Sequence, residues 1–330
     1  MNYDYSPLTI KLTAADVEVY RKKFNKKSYE KQLKAVAAVI VVLFVVSIIS
    51  VAIQQQNASA SASITVLMMV LFIVGAIGAY IFLGIRARQY KHTRLARFAE
   101  LNGMTFMADT SIAYSGAIFQ ISSGSGVKES LSLADGREVG NYVYFTGSGR
   151  SRHKHHWSYF RIKLVRKLPH MLLDAKKNNF LGRFSNLPVS LKGAQKLPLN
   201  NEFGDSFTIY APVGYERDAL YVFTPDVMMT LIKYGADYDI EVIDDNLFLY
   251  KKNHIKLENE TELRRAFTLM DAIGKEVIEQ GDYYADERVG DRQQNAVAPQ
   301  GARLKKSFSW IVIVLLVVWF VYSFVSALLG

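Results

Sequence analysis

Three uninterrupted apolar runs, at 35–53, 64–85 and 310–329, constrain this chain more than any other feature. Each is about as long as the roughly 20 residues that a helix needs to cross the hydrocarbon core of a bilayer. None of the runs contains an Asp, Glu, Lys, Arg or His residue. The sequence therefore predicts an integral membrane protein with three transmembrane helices. Since ion and proton paths usually need ionisable groups inside the membrane, transport by these helices is not expected.

Lysine and arginine cluster before the first run, after the second run and before the third, whereas the connector 54–63 carries no charge. Basic loops tend to stay on the cytoplasmic side of a membrane. We therefore expect a multi-pass protein of the cell membrane whose N-terminus and main domain are cytoplasmic and whose C-terminus lies outside. The predicted segments are a basic arm at 1–34, a transmembrane hairpin at 35–85, a cytoplasmic domain at 86–280, a flexible linker at 281–306 and a C-terminal helix at 307–330.

An alternative for the first run is a cleaved signal peptide, because Ala58-Ser59-Ala60 resembles a signal-peptidase site. The run is longer than the roughly 7–15 apolar residues of a signal-peptide core, which favours a membrane helix. In the second run, Gly75, Gly78 and Ala79 place small side chains on adjacent parts of one helix. Small residues let a neighbouring helix approach closely, so we expect them to pack the hairpin.

The net charge and the absence of cysteine limit which partners and which kinds of site the chain can have. The formal net charge is +10, but much of the excess lies beside the apolar runs, where membrane topology accounts for it without nucleic acid. The chain contains no cysteine, which excludes disulfides, thiolate metal sites and a cysteine nucleophile. The bilayer, a protein partner at the cytoplasmic membrane surface and a second copy of the chain are the expected partners.

The region between the second and third runs alternates apolar and polar residues in short segments, which is typical of strands. The predicted strands are 104–107, 117–121, 128–133, 142–145, 157–165, 207–210, 219–223, 240–243 and 247–250, with a turn at Asp244-Asp245-Asn246. Helices are predicted at 92–101, at 225–234 with Thr224 as its cap, and at 261–280. The expected fold class is therefore α+β, with a mainly antiparallel sheet and covering helices beside three transmembrane helices.

One short stretch concentrates charge and imidazole groups between two predicted strands, so it is expected at the tip of a hairpin. Its candidate residues for binding an anion or a lipid headgroup are Arg150, Arg152, His153, Lys154, His155 and His156. A metal site is the less favoured interpretation, because no carboxylate stands nearby and adjacent cations repel a metal ion. A solvated hairpin tip without a ligand is the third alternative.

The sequence contains no phosphate-binding loop, nucleophile elbow, dinucleotide fingerprint or zinc-protease helix motif. We therefore assign no catalytic residue, no metal ligand and no cofactor. An enzyme whose site is assembled from dispersed residues is still compatible with the sequence.

The order of several short motifs resembles that of a group of uncharacterised bacterial membrane-anchored proteins. The motifs are Arg97-Phe98-Ala99, Asn102-Gly103, Tyr142-Val143-Tyr144, the run from Val165 to Leu173, Asn201-Glu202-Phe203 and Phe223-Thr224-Pro225. The resemblance implies a bacterial inner-membrane location and implies no catalytic residues. The leading functional hypothesis is a membrane protein that presents a non-catalytic α+β interaction domain, and the alternative is binding of anionic headgroups or a phosphorylated ligand through the basic hairpin.

Overall fold

The computed structural model describes residues 3–23, 26–54, 60–112, 114–121, 124–179, 185–199, 201–291, 293–307 and 317–321. The chain divides into two compact units, Met1–Ala108 and Asp109–Gly330. The helices are α1 Ser6–Thr9, α2 Ala14–Lys23, α3 Lys26–Gln54, α4 Ala60–Leu101, α5 Glu202–Ser206, α6 Glu216–Val222, α7 Pro225–Thr230 and α8 Glu260–Gly281. The strands are β1 Thr105–Thr110, β2 Gly126–Ser132, β3 Glu138–Thr146, β4 His153–Ala175, β5 Phe207–Tyr210 and β6 Asp239–Lys252.

The first unit is built on α4, which continues without a break from the second apolar run to Leu101. The separate helix predicted at 92–101 is therefore the end of a much longer one. Among the described residues, one helix, Met69–Leu101, is long and apolar enough to cross a membrane by length and composition. The apolar stretch Lys34–Ile49 of α3 is shorter, and most of the third predicted span, 310–329, lies outside the described residues.

The polar end of α4 is covered by the N-terminal arm. Thr13 caps α2, since its hydroxyl accepts from the Asp16 backbone N–H at 3.3 Å while the Asp16 carboxylate accepts from the Thr13 N–H at 2.8 Å. Asp16 also forms an ion pair with Arg97 of α4. Further along, Asn102 accepts a 2.8 Å hydrogen bond from the Asp4 N–H just after the end of α4. The Tyr20 hydroxyl also donates to the Glu100 carboxylate, so polar contacts hold the arm at several positions along the end of α4.

Of the small residues predicted to pack the hairpin, Gly78 lies close to α3, whereas Gly75 and Ala79 are exposed. A Cβ atom built on Gly78 would lie 3.4 Å from Ile40 Cδ1, so α3 passes over Gly78. Gly75 and Ala79 are exposed in the first unit, and no described heavy atom lies within 4 Å of a Cβ built on Gly75. The observed contact between α3 and α4 therefore uses Gly78, one of the three predicted positions.

The second unit is organised around β4, which pairs antiparallel with three other strands. Its first half lies between β3 and β6, and its second half lies between β6 and β5. On the far side of β3 comes β2, followed by Asp109 and Thr110 at the end of β1. The pairing with β6 shifts register between Lys163 and Met171, so residues 164–167 bulge away from the ladder. The predicted α+β class with a mainly antiparallel sheet is confirmed.

Both faces of this sheet are covered. On one face α8 buries a stripe of apolar residues at helical spacing, and Gly274 lets it approach so closely that a Cβ there would lie 3.0 Å from Ile162 Cδ1. On the other face lies an aromatic cluster covered by the short 3₁₀ turn Ala117–Phe119. In that cluster Phe119 packs edge-on against the rings of Tyr142 and Tyr159. A sheet buried on both faces accounts for the abundance of Tyr and Phe in strand segments.

Local signals predicted α7 and α8 correctly, including the Thr224 cap, whose side chain accepts from the Val227 N–H. Two strand predictions and one turn prediction were wrong. Residues 117–121 contain a 3₁₀ turn, and residues 219–223 belong largely to helix α6. The turn expected at Asp244-Asp245-Asn246 is a distortion inside the continuous strand β6, where Asp244 adopts a positive φ of 55°. The short polar side chain of Asp tolerates this conformation, so the strand bends without reversing.

Candidate functional site

The basic stretch lies where the sequence predicts it, at the tip of the β3–β4 hairpin. Thr146 at the end of β3 faces His153 at the start of β4, and residues 147–152 connect the two strands. Gly147 has a φ of 76°, and a Cβ there would lie 2.2 Å from the carbonyl oxygen of Ser151. Glycine is therefore required at this position for the connection to close.

The side chains of this hairpin do not converge on one point. Arg152 lies over the Phe145 ring at 3.9 Å, whereas the His155 ring stacks on Tyr144 and contacts the Thr146 hydroxyl at 2.7 Å. His156 faces the opposite way, with its Nδ1 atom 3.4 Å from Nε2 of His254. Arg150, His153 and Lys154 are exposed. The tip is a charged surface and not a closed pocket.

Burial and nearby positive groups lower the pKa values of three histidines in and beside the hairpin, His155, His156 and His254. Burial lowers the pKa of His155, with His153 and Lys252 adding to the effect. It likewise lowers the pKa of His156, which also lies close to Lys154. The pKa of His254 is lowered by burial as well, against the opposing effect of the Tyr142 carbonyl. These groups therefore take up protons below the ordinary histidine value of about 6.5.

A second candidate site, a cavity with buried polar groups on an apolar wall, lies elsewhere in the second unit and was not predicted from the sequence. It has a volume of about 480 Å³. Its lining residues are Ser115, Ala117, Gln120, His170, Leu172, Val189, Leu191, Glu241, Arg303, Leu304 and Lys306. The walls are mostly aliphatic, the buried polar side chains are His170 and Glu241, and the cations Arg303 and Lys306 stand at the exposed rim.

Hydrogen bonds fix the state of His170. Its Nδ1 atom accepts from the backbone N–H of Leu304 at 2.9 Å, so the ring proton must be on Nε2. That Nε2–H donates to Oε1 of Glu241 at 2.7 Å. Both ring nitrogens are thus engaged. The imidazole holds two parts of the chain together and has no free nitrogen for proton transfer.

The Glu241 carboxylate is buried, with 1% of its surface exposed, and it accepts from three donors. Besides His170, its Oε2 atom accepts from the Ala117 backbone N–H at 2.7 Å and from the Tyr250 hydroxyl at 2.6 Å. Complete burial, together with this carboxylate, raises the pKa of Tyr250 well above its ordinary value. A buried carboxylate needs such donors, since an unsatisfied charge in the interior is strongly unfavourable.

Residues 301–307, here called the strap, form one wall of the cavity. The Gly301 carbonyl accepts from the His170 N–H at 2.9 Å, and Lys305 exchanges backbone and side-chain hydrogen bonds with Lys192 and Gln195. The Ser307 N–H donates to the Ser190 carbonyl at 2.8 Å. At the rim, Arg303 makes a two-pronged ion pair with Asp244 at 2.8 and 2.9 Å. The strap therefore lies against residues 190–195, with one antiparallel bridge between Leu191 and Lys306.

Residues 281–306, predicted as a flexible linker, make several hydrogen bonds to the rest of the second unit. Asp286 is buried and accepts from the Tyr215 hydroxyl at 2.7 Å and the Ala298 N–H at 2.9 Å. Nearby, the carbonyl of Tyr284 accepts from Arg166 in the bulge of β4. The segment is poor in aliphatic side chains, yet backbone hydrogen bonds and one buried carboxylate hold it against the domain. Composition alone could not reveal those bonds.

The cavity residues were missed because they come from distant parts of the sequence. One signal was present: His170 and Glu241 are single polar residues inside otherwise apolar strand segments, Leu168 to Leu173 and Ile240 to Ile243. A polar side chain at a buried strand position requires a hydrogen-bond partner. Two such side chains in one domain are therefore candidates to pair with each other. Among the described residues, no group of three or more His, Cys, Asp or Glu side chains is placed to hold a metal ion.

Comparison with other proteins adds no assignment. No protein family, curated protein or solved structure matches the chain. Function is therefore inferred from the geometry of this molecule alone.

The imidazole pKa shifts predict acid sensitivity of the hairpin. The folded chain favours the neutral imidazoles. Their contribution to the free energy of unfolding is therefore fully present above about pH 6.5, and it is lost as the pH falls through their lowered folded-state pKa values. The melting temperature of the wild-type chain should therefore fall between about pH 7.5 and pH 5.0. In a variant with both His156 and His254 replaced by Gln, this fall should be smaller by a few degrees. Thermal unfolding followed by circular dichroism measures this loss. The control is His153→Gln, at an exposed position. If the fall in melting temperature were reduced by the same amount in this control, His156 and His254 would not be the source of the acid sensitivity.

Proposed function

We propose that this chain is a membrane-anchored, non-catalytic binding protein whose second unit presents a ligand cavity and partner surfaces at the cytoplasmic membrane face. The apolar helix Met69–Leu101 and the three apolar runs of the sequence support the anchor. The basic residues flanking the runs support the orientation. A protein partner and self-association at the membrane are part of this proposal.

The observation that carries the binding role is the arrangement of groups in the cavity. Its volume of about 480 Å³ falls in the range of small-molecule sites, roughly 300–1,000 Å³. The polar groups on its floor, His170 and Glu241, are already paired with each other and with donors of the protein. A catalytic site needs a group free to exchange a proton or attack a substrate. This cavity instead offers apolar walls and a fixed polar floor, which favours reversible binding.

The rim of the cavity indicates the chemistry of the ligand. Leu172, Val189 and Leu191 supply apolar contact for a short hydrocarbon body. Lys306 is exposed at the rim, bonded only to the neutral amide of Gln120 among the described residues, and Arg303 shares its charge with Asp244. A net positive rim above an apolar pocket suits a small amphiphile with one anionic group, such as a short fatty acid.

Octanoate provides a direct test of the cavity. Leu191→Trp should fill the cavity and weaken octanoate binding at least about tenfold, equivalent to about 1.4 kcal/mol. Lys306→Gln should weaken octanoate binding while leaving binding of neutral octanol unchanged. Isothermal titration calorimetry on the full chain in lipid nanodiscs, corrected for empty nanodiscs, measures both affinities. Val213→Trp, at an exposed position outside the cavity lining, is the control. Octanoate binding that is equal in the wild-type chain and the Leu191→Trp variant would exclude this site.

The absence of cysteine makes the topology directly measurable. Single cysteines at Ser59 and Ser151 should differ in labelling of intact cells by a membrane-impermeant maleimide. Ser59 lies in the predicted outer loop, outside the described residues, and Ser151 is exposed at the hairpin tip. Labelling at 59 and protection at 151, with both sites labelled after lysis, is the expected result. Labelling at 151 in intact cells would place the second unit outside and overturn the orientation.

A second function, binding of anionic lipid headgroups by the basic hairpin, is supported by the exposure of Arg150, Arg152 and Lys154 at one tip. Each basic side chain near an anionic surface contributes about 1 kcal/mol. A polarity-sensitive dye on Ser151→Cys should shift to the blue when the reconstituted membrane contains anionic lipid.

Replacing Arg150, Arg152 and Lys154 with Gln should abolish that shift. The matched control replaces Arg217, Lys233 and Lys275, three exposed cations at other positions of the second unit, with Gln. Identical spectra in neutral and anionic membranes for the unmodified hairpin would rule out the contact with lipid.

A further inference from the structure

The middle of the strap is held by an acceptor that can gain a proton, the Nδ1 atom of His170. This atom accepts a 2.9 Å hydrogen bond from the Leu304 N–H, and Leu304 is buried in the aromatic cluster. Among the described residues, the other acceptors of strap N–H groups are backbone carbonyls and the Gln195 amide. None of those groups changes its charge between about pH 5 and pH 8.

The His170 ring is fixed in the orientation that aims Nδ1 at the strap. Its Nε2–H donates to Glu241 at 2.7 Å, and the residue is 6% exposed. Glu241 is held in turn by the Ala117 N–H and the Tyr250 hydroxyl. A rotated ring would leave this buried carboxylate one donor short, which is unfavourable. The ring therefore cannot avoid Leu304 by turning.

We propose that His170 is a proton-controlled latch: the strap closes on the cavity while Nδ1 carries no proton, and protonation of Nδ1 opens it. A protonated nitrogen has no lone pair for a hydrogen bond. In the closed strap, Nδ1–H and the Leu304 N–H would be two donors whose nitrogens lie 2.9 Å apart. A buried donor without an acceptor is unfavourable, and a buried charge more so. Opening the strap lets water accept from Nδ1–H, while Glu241 still accepts from Nε2–H.

The charged side chains around His170 act in the same direction. Three of them line the cavity: Glu241 stabilises an imidazolium ion, whereas the cations Arg303 and Lys306 oppose it. Both cations belong to the strap and move away with it, although Asp244 on β6 partly neutralises Arg303 in the closed form. The open form therefore accepts the proton more readily, because it gains water at Nδ1 and loses two nearby positive charges.

A proton that binds only the open form shifts the strap toward opening as the pH falls. The stabilisation from strap closure is thus present at neutral and alkaline pH and is lost on acidification. Because the strap is a wall of the cavity, the same proton weakens retention of a ligand. This last step rests on the binding role proposed above, whereas the latch itself does not.

Hydrogen–deuterium exchange of the full-length chain in detergent tests the latch at about pH 7.5 and about pH 5.0, on either side of the range in which histidines in general titrate. Each rate is divided by the intrinsic chemical rate at that pH, and the amides of α8 report on folding. Protection of a peptide covering residues 301–307 should fall at least about tenfold at the lower pH, while α8 stays protected. Equal protection at both pH values, or a loss shared equally by α8, would overturn the proposal.

Substitutions at His170 identify the group that takes the proton. The Oδ1 atom of Asn can take the place of Nδ1, accept from the Leu304 N–H and not titrate. The strap of His170→Asn should therefore stay protected at both pH values. His170→Leu lacks the acceptor and should show the low protection of the acid form already at pH 7.5. His153→Gln, at an exposed position of the hairpin, should keep the wild-type response. Acid-induced opening of His170→Asn equal to that of the wild type would assign the response to another group and overturn the latch.

Octanol separates the latch from the binding role, because it has no group that titrates in this range. By calorimetry, octanol should bind the wild-type chain several-fold more weakly at pH 5.0 than at pH 7.5, and equally at both pH values in His170→Asn. Strap exchange that follows pH without octanol binding would support the latch and refute the cavity as a binding site. Octanol binding together with strap exchange that ignores pH would refute the latch and leave the binding role intact.

Discussion

The second unit depends on one buried carboxylate, that of Glu241. It accepts from Ala117, Tyr250 and His170, and the opposite nitrogen of His170 accepts from Leu304. Four stretches far apart in sequence, a 3₁₀ turn, two strands and the strap, are thereby joined at a single charge. Leaving a buried donor or acceptor unpaired costs about 1–3 kcal/mol, and more for a charged group. Removal of this acceptor would loosen all four stretches together.

Much of the fold could be predicted from the sequence where the signal is local. The Thr224 cap followed by proline, and the apolar stripe of α8, depend on neighbours within a few residues, so both helices were predicted correctly. The acidic turn at 244–246 was wrong because β6 continues by pairing with β4, and that partner is remote in sequence. The strap was missed for a related reason, since backbone hydrogen bonds to residues 190–195 hold it and side-chain composition does not report them.

The two candidate sites illustrate the same limit. The hairpin tip is contiguous in sequence, so its location was predictable, although the separation of His155 from His156 follows from the contacts of each strand face. The cavity is assembled from β4, β6, the 3₁₀ turn, the segment that contains Val189 and Leu191, and the strap. No short window of sequence contains it.

The strap has a mechanical consequence. It ends at Ser307, a few residues before the apolar run 310–329. It is attached by hydrogen bonds at Gly301, Leu304, Lys305 and Ser307 and by the ion pair between Arg303 and Asp244. If these bonds open, the freed residues 301–307 can extend by up to about 25 Å. The domain would then have a longer tether to that run, and a wall of the cavity would be gone at the same moment. Tether length and cavity integrity are thus set by the same few bonds.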